Sequence, residues 1–294
     1  MTITATHSPR PIYEFARRVF RSIPVVEKPL MSYIRGRRVK YAEQVLEAGN
    51  FYPADRAQIL ADYAYSTLYT HRGIMQVINL ESVLRHVETA GIEGAFVETG
   101  TYTGGASAYA LRALLRLRTD KPARHYWGFD SFEGMPAPSP LDGDHGAIWV
   151  KGKLINELDG AELGALIGHD ANKTGYEQCM SYLQKTGYPA SHIHLVKGWF
   201  QETLVPNRPH IGPIAVLRTD GDFYESTKVV FDSLYDQVLP GGIVVIDDYG
   251  SFQGCRRATE ELFAARNIKA HLVYVENGIR YFVKQAKETL QKSG

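Results

Sequence analysis

Residues 212–250, GPIAVLRTDGDFYESTKVVFDSLYDQVLPGGIVVIDDYG, hold two short apolar runs that each end in acids. Residues 214–217 lead to Asp220 and Asp222, and residues 243–246 run into Asp247 and Asp248. Short runs rich in β-branched residues and bounded by Gly and Pro read as buried parallel strands, with the amphipathic stretch 225–238 as the crossover helix between them. Parallel strands end at the same edge of a sheet, so Asp220, Asp247 and Asp248 are expected to converge across a long gap in sequence. Carboxylates crowded at one edge repel one another unless a cation neutralises them. A hard divalent ion with oxygen ligands, Mg²⁺ above all, suits such a set. Asp222, in the same Asp-Gly-Asp turn, also reads as a turn former or helix cap.

The elements needed to bring these acids together are legible along the chain. A strand at 95–97 enters VETGTYTGGASAYALRALLRL, where Gly100, Gly104 and Gly105 precede a helix from Ala106. Strand, glycine turn and helix N-terminus let backbone N–H groups approach a ligand closely. The spacing is G-x-x-x-G-G rather than the G-x-G-x-x-G of the pyrophosphate fingerprint. A second strand at 125–129 ends at Asp130, where sheets of this kind grip ribose hydroxyls. A helix at 176–186 and a third strand at 192–196 follow, the latter leading into Lys197-Gly198-Trp199-Phe200. After the central strands come a helix over 256–266 and a closing pair of strands, 271–275 and 280–283, joined by the hairpin signal Glu276-Asn277-Gly278. The expected fold is α/β: a Rossmann-like, seven-stranded, mostly parallel sheet with a terminal antiparallel hairpin and helices on both faces.

The chain has 294 residues, 44% hydrophobic and 22% charged, with a formal charge of +1. It is long enough for one catalytic domain with an extension, and its charge gives no case for nucleic acid or an anionic membrane. Cys179 and Cys255 are too few and too far apart for a disulfide framework or a zinc site. The start lacks an apolar signal core and no apolar run is long enough to span a bilayer, so a cytoplasmic protein is expected. Residues 1–90 divide into an arm over 1–40, with Arg35, Arg37 and Arg38 solvated, and helices from Pro53 to His86 that could close over the sheet edge as a lid. Residues 91–294 form the catalytic domain, interrupted at 136–174 by a long Pro-, Gly- and Asp-rich segment read as a substrate-side insertion. His145 in that segment is a candidate substrate contact.

Taken together, VETGTYTGGAS (97–107), GFDSFEGMP (128–136), VKGWFQETL (196–204), IAVLRTDGDFYEST (214–227) and GGIVVIDDYG (241–250) resemble the macrocin O-methyltransferase family. Within the class I S-adenosylmethionine-dependent methyltransferases, that family methylates sugar hydroxyls of natural products. The resemblance implies a Mg²⁺-dependent O-methyltransferase acting on a small-molecule glycoside or vicinal diol, as a homo-oligomer. It implies that Glu98, Thr99, Gly100, Thr101, Tyr102, Thr103, Gly104, Gly105 and Ser107 hold the methionine end of the cofactor. Asp130, Ser131 and Phe132 would contact ribose and adenine, with Gly198 and Trp199 nearby. Asp220, Asp247 and Asp248 match the family's metal ligands, and Asp220 stands where the family places its general base.

Two other readings fit parts of the pattern. Thr99-Gly100-x-x-x-Gly104-Gly105 with Tyr224-x-x-x-Lys228 is similar to a short-chain nicotinamide-dependent dehydrogenase, in which the lysine lowers the pKa of the tyrosine. That pair, however, begins the helix after the fourth strand, and the clustered acids would have no task. A non-catalytic S-adenosylmethionine-binding protein calls for missing acids, and none is missing.

Overall fold

The computed structural model describes residues 24–49, 51, 53–67, 69–70, 73–136, 138–143, 175–276 and 278–286. The first part of the expected arm, most of the 136–174 insertion and His145 lie outside the described residues. Eight α-helices and seven strands are described: α1 (Pro24–Ala48), α2 (Pro53–Ser66), α3 (Ile74–Thr89), β1 (Ala95–Thr99), α4 (Gly105–Leu117), β2 (Tyr126–Asp130), α5 (Tyr176–Gln184), β3 (Ile193–Lys197), α6 (Phe200–Ile211), β4 (Ile214–Thr219), α7 (Tyr224–Leu234), β5 (Val238–Ile246), α8 (Gln253–Arg266), β6 (Val273–Glu276) and β7 (Ile279–Val283).

The strands form one sheet in the order β3-β2-β1-β4-β5-β7-β6. β1 to β5 pair in parallel, while β7 runs antiparallel to β5 and to β6. Strand order therefore reverses between β1 and β4, and a ligand crevice opens at the carboxyl ends of the strands beside such a switch. Every residue of β1 and β4 is buried, because both sheet faces are covered.

Alternation along the strands divides the core in two. Phe96, Tyr126, Val216, Ile243 and Val245 pack with α1 to α5. Ala95, Val97, Trp127, Phe129, Leu217, Val244 and Ile246 pack with α6 to α8. The N-terminal helices thus share the first core with the sheet instead of capping its edge alone. Their contacts with α4 are also ionic: Glu81 accepts from Tyr109 and Arg116, and Asp62 from Arg112 and Arg116.

Four sequence expectations change. From Pro24 the presumed arm is the long helix α1, which buries a narrow stripe of Ile34, Arg38, Ala42 and Leu46 at four-residue spacing. Arg38 is accordingly not solvated: its Nη1 donates to the carbonyls of Thr67 and Thr70, at the loop between α2 and α3. Helix α6 is absent from the sequence reading because Pro206 and Pro209 lie inside it, where each removes a helix hydrogen-bond donor. The crossover helix α7 stops at Leu234, and β5 begins at Val238, well before residue 243. Among the described residues no helix is long and apolar enough to cross a membrane.

Candidate active site

The ladder that ends β1, β4 and β5 continues one residue past each strand. Asp220 N–H bonds to Thr99 O and Asp247 N–H to Thr219 O, both at 2.9 Å. This brings the glycine turn, the Asp220 turn and the Asp247–Asp248 corner side by side. Gly100 makes the approach feasible: φ is +89°, and a Cβ there would overlap the Asp220 carbonyl oxygen.

Asp220, Asp222 and Asp248 each offer a carboxylate oxygen within 4.8 Å of the others. Asp247 is outside this trio. Consecutive strand residues point to opposite faces, and Asp247 leaves β5 on the face of Arg218, where its Oδ1 accepts from Nη2 at 2.7 Å. The same Nη2 donates to Asp220 Oδ2 at 2.9 Å, and Nη1 donates to Glu98 Oε1 at 2.6 Å. Burial works against the Arg218 charge, but Asp220, Asp247 and Glu98 outweigh it and hold the guanidinium well above its ordinary pKa. Arg218 was not singled out from sequence. The available signal was a charged residue inside an otherwise apolar strand, which must be paired to be buried.

Glu98 is fully buried, and its Oε2 accepts from Tyr126 OH at 2.9 Å and from Ser107 Oγ. Glu98 and Ser107, both expected at the cofactor, are therefore bonded to each other beneath the glycine turn. Thr101 and Thr103 are buried too, and Thr103 Oγ1 donates to the Tyr69 carbonyl. Gly105 receives that same loop so closely that a Cβ would overlap the Tyr69 carbonyl oxygen. Behind Gly104 lies Cys179, whose thiol burial pushes up and keeps inert.

Asp130 ties two turns together. Its Oδ2 accepts from Tyr102 N–H and its Oδ1 from Phe132 N–H, both at 2.7 Å. Tyr102 and Phe132 each take positive φ, 53° and 55°. Burial pushes the Asp130 carboxyl up to about 6, against the pull of those two N–H groups and with help from Asp220 and Glu98. Ser131 Oγ closes the β2 turn between Glu133 N and Gly134 O. Gly198 N–H bonds to Asp130 O at 2.9 Å, so Gly198 and the half-buried Trp199 stand at the same strand-end edge. Thr99, Tyr102, Gly100 and Gly104 complete this edge. The expected residues come together here, with Asp247 meeting Asp220 through the shared Nη2 of Arg218 and not within the trio.

The dehydrogenase pair does not assemble. Tyr224 OH bonds to Glu261, which raises the phenol's pKa, and Lys228 pairs with Asp232.

Comparison with known proteins decides the family. The profile of the macrocin-O-methyltransferases (TylF) matches residues 17–159 and 168–284. The chain belongs to the macrocin O-methyltransferase family. It is an O-methyltransferase with the class I methyltransferase fold. A relative of this family from Streptomyces olivaceus, 8-demethyl-8-(2,3-dimethoxy-alpha-L-rhamnosyl)-tetracenomycin-C 4'-O-methyltransferase, is 35% identical over 196 residues, 67% of this chain and 68% of that protein. Demethyldecarbamoylnovobiocin O-methyltransferase from Streptomyces niveus is 30% identical over 239 residues, 80% and 79% of the two chains. Among solved structures, the O-methyltransferase NovP is 27% identical with a TM-score of 0.59, covering 74% of this chain and 82% of its own. The calicheamicin methyltransferase CalS11, at 17% identity and a TM-score of 0.54, shares the fold.

Proposed function

We propose that this enzyme moves the methyl group of S-adenosylmethionine to a sugar hydroxyl of a glycosylated natural product, with Mg²⁺ held by its carboxylate trio. The observation that carries the reading is the convergence of Asp220, Asp222 and Asp248 within 4.8 Å, beside the glycine turn. An oxygen-only donor set of three carboxylates fits a hard dication, and one arginine shared among Glu98, Asp220 and Asp247 leaves surplus negative charge for it. A buried acid at the end of β2 fits a ribose diol. When bound, the cation acidifies an acceptor diol and the sulfonium supplies the methyl group.

The chain's own residues do the rest. Backbone at Gly100 to Gly105 and the N-terminus of α4 receive the donor's amino-acid end, and Asp130 orients its ribose. Arg218 takes one oxygen of Asp220, so it fixes that side chain's direction while Asp247 braces the guanidinium from the far side. Asp220 and Asp222 are both half-buried, and Asp220, whose other oxygen Arg218 holds in place, is the proton acceptor. Surplus negative charge also favours a sulfonium over its neutral product. The rhamnosyl-tetracenomycin in the name of the Streptomyces olivaceus relative supports a glycoside acceptor. A cytoplasmic homo-oligomer is part of the same reading, and sedimentation velocity of the purified protein measures the assembly.

Methyl transfer from labelled S-adenosylmethionine to a panel of glycosides, with and without EDTA, tests the function. Full turnover in EDTA removes the cation. Calorimetry with Mn²⁺ then separates the acids: Asp222→Asn, which removes a ligand, should weaken binding more than Asp247→Asn, which acts only through Arg218. The reverse ranking would restore Asp247 as the ligand.

A further inference from the structure

Asp142 is 2% exposed and takes no part in the chemistry above. It ends the 3-10 turn Pro140–Asp142, beyond β2 in the chain. Its Oδ2 accepts from Ser139 N at 2.7 Å and from Ser139 Oγ at 3.0 Å, and its Oδ1 accepts from the Tyr224 N–H at 2.6 Å. Tyr224 is the first residue of α7, and the residue before it, Phe223, makes no side-chain cap. Helix N-termini expose unpaired N–H groups and favour negative charge. A carboxylate 82 positions away supplies both. The packing leaves room for nothing else: a Cβ on Gly254 would overlap Asp142 Oδ1 and lie 2.7 Å from Tyr224 N.

What this contact anchors is the acid-bearing turn. Between Asp220 and α7 the chain passes through Asp222 at φ +58°, and Phe223 N–H turns back onto Gly221 O at 2.6 Å. A non-glycine residue holds a left-handed conformation only where its surroundings enforce it. Phe223 is held edge-on against Phe252 on one side, and Asp142 fixes the next N–H on the other. We propose that Asp142 is a positioning residue: it caps α7 from across the fold and thereby keeps Asp222 within reach of Asp220 and Asp248. The inference rests on reading that trio as a cation site, and it makes the segment 138–143 a support of the site.

Mn²⁺ and S-adenosylhomocysteine are the probes, each titrated by calorimetry. Asp142→Ala is expected to weaken Mn²⁺ binding about tenfold, the loss usual for a partner behind a metal ligand, and to leave S-adenosylhomocysteine within about twofold. Asp142→Asn keeps an acceptor oxygen for the Tyr224 N–H and is expected to recover most of the loss. Amide exchange over residues 221–228 should quicken in the alanine variant and stay slow in the asparagine one. Gly254→Ala, which drives the carboxylate off Tyr224, provides the same reading should Asp142→Ala fail to fold. Wild-type Mn²⁺ affinity in Asp142→Ala or Gly254→Ala overturns the proposal, as does an asparagine variant no better than alanine. A wild-type protein that binds no Mn²⁺ removes the cation reading, and with it the role given to Asp142, whereas quickened exchange alone leaves only a helix cap.

Discussion

Asp130 ties the turns after β1 and β2 together, and its titration is unusual in direction. In the folded chain it keeps its proton up to about pH 6, against 3.8 for an ordinary aspartate, chiefly because it is buried. A raised carboxylate means the folded state binds the extra proton between those values, so its contribution to stability falls as pH rises through that window. On the proposed reading ribose hydroxyls donate to the ionised form, so binding must displace the proton below about pH 6. The affinity for S-adenosylhomocysteine should drop about tenfold between pH 7 and pH 5, and Asp130→Asn should bind weakly with no such slope. Calorimetry across pH 5–8 reads both. Asp130 was visible in the sequence as an acid ending a strand. Arg218 was not seen, because only the register of β1 with β4 places it against Glu98. Nor could adjacency reveal that Asp247 and Asp248 would separate, since the pleat divides neighbours between two faces.

Among the elements, the close meeting of β1 and β4 brings the glycine turn and the Asp220 turn together, and with them the proposed donor and cation sites. Gly100→Ala places a methyl group in the Asp220 carbonyl at a positive φ, so the two strand ends must part. Overpacking of this kind costs about 1–3 kcal/mol. The variant should therefore melt lower and lose affinity for both Mn²⁺ and S-adenosylhomocysteine. A loss confined to one ligand would contradict the shared boundary. The elements that could be read beforehand were those with a clean period: the apolar strands, the glycine turn and the final hairpin. Helix α6 was hidden by Pro206 and Pro209, whose local preference the tertiary packing of Leu204 and Ile211 overrides. Helix α1 was hidden because its buried stripe is one residue wide per turn and includes Arg38.

For the molecule as a whole, the N-terminal helices and the sheet share one packed core. Glu81 on α3 accepts from Tyr109 at 2.9 Å and from Arg116 at 2.9 Å on α4, and it is 3% exposed. Burial raises its pKa, but Arg116 and Tyr109 outweigh that and hold it below the ordinary value. Breaking one side of a buried pair costs about 3 kcal/mol. Glu81→Gln should lower the melting temperature by roughly 6–10 °C while leaving a single calorimetric transition. Two separated transitions would mean that α1 to α3 fold as a unit of their own.

Residue types and period determined, by themselves, an α/β sheet with a reversed closing hairpin, a glycine turn after the first strand and a gathering of acids at the strand ends. Those features follow from local rules: alternation, turn chemistry and the common direction of parallel strands. Only the tertiary structure decided which acids meet, that Arg218 holds three of them, and that Asp142 caps a helix far along the chain. Such pairings depend on strand register, on the face each side chain takes and on close backbone approach at Gly100 and Gly254, none of which a linear pattern carries.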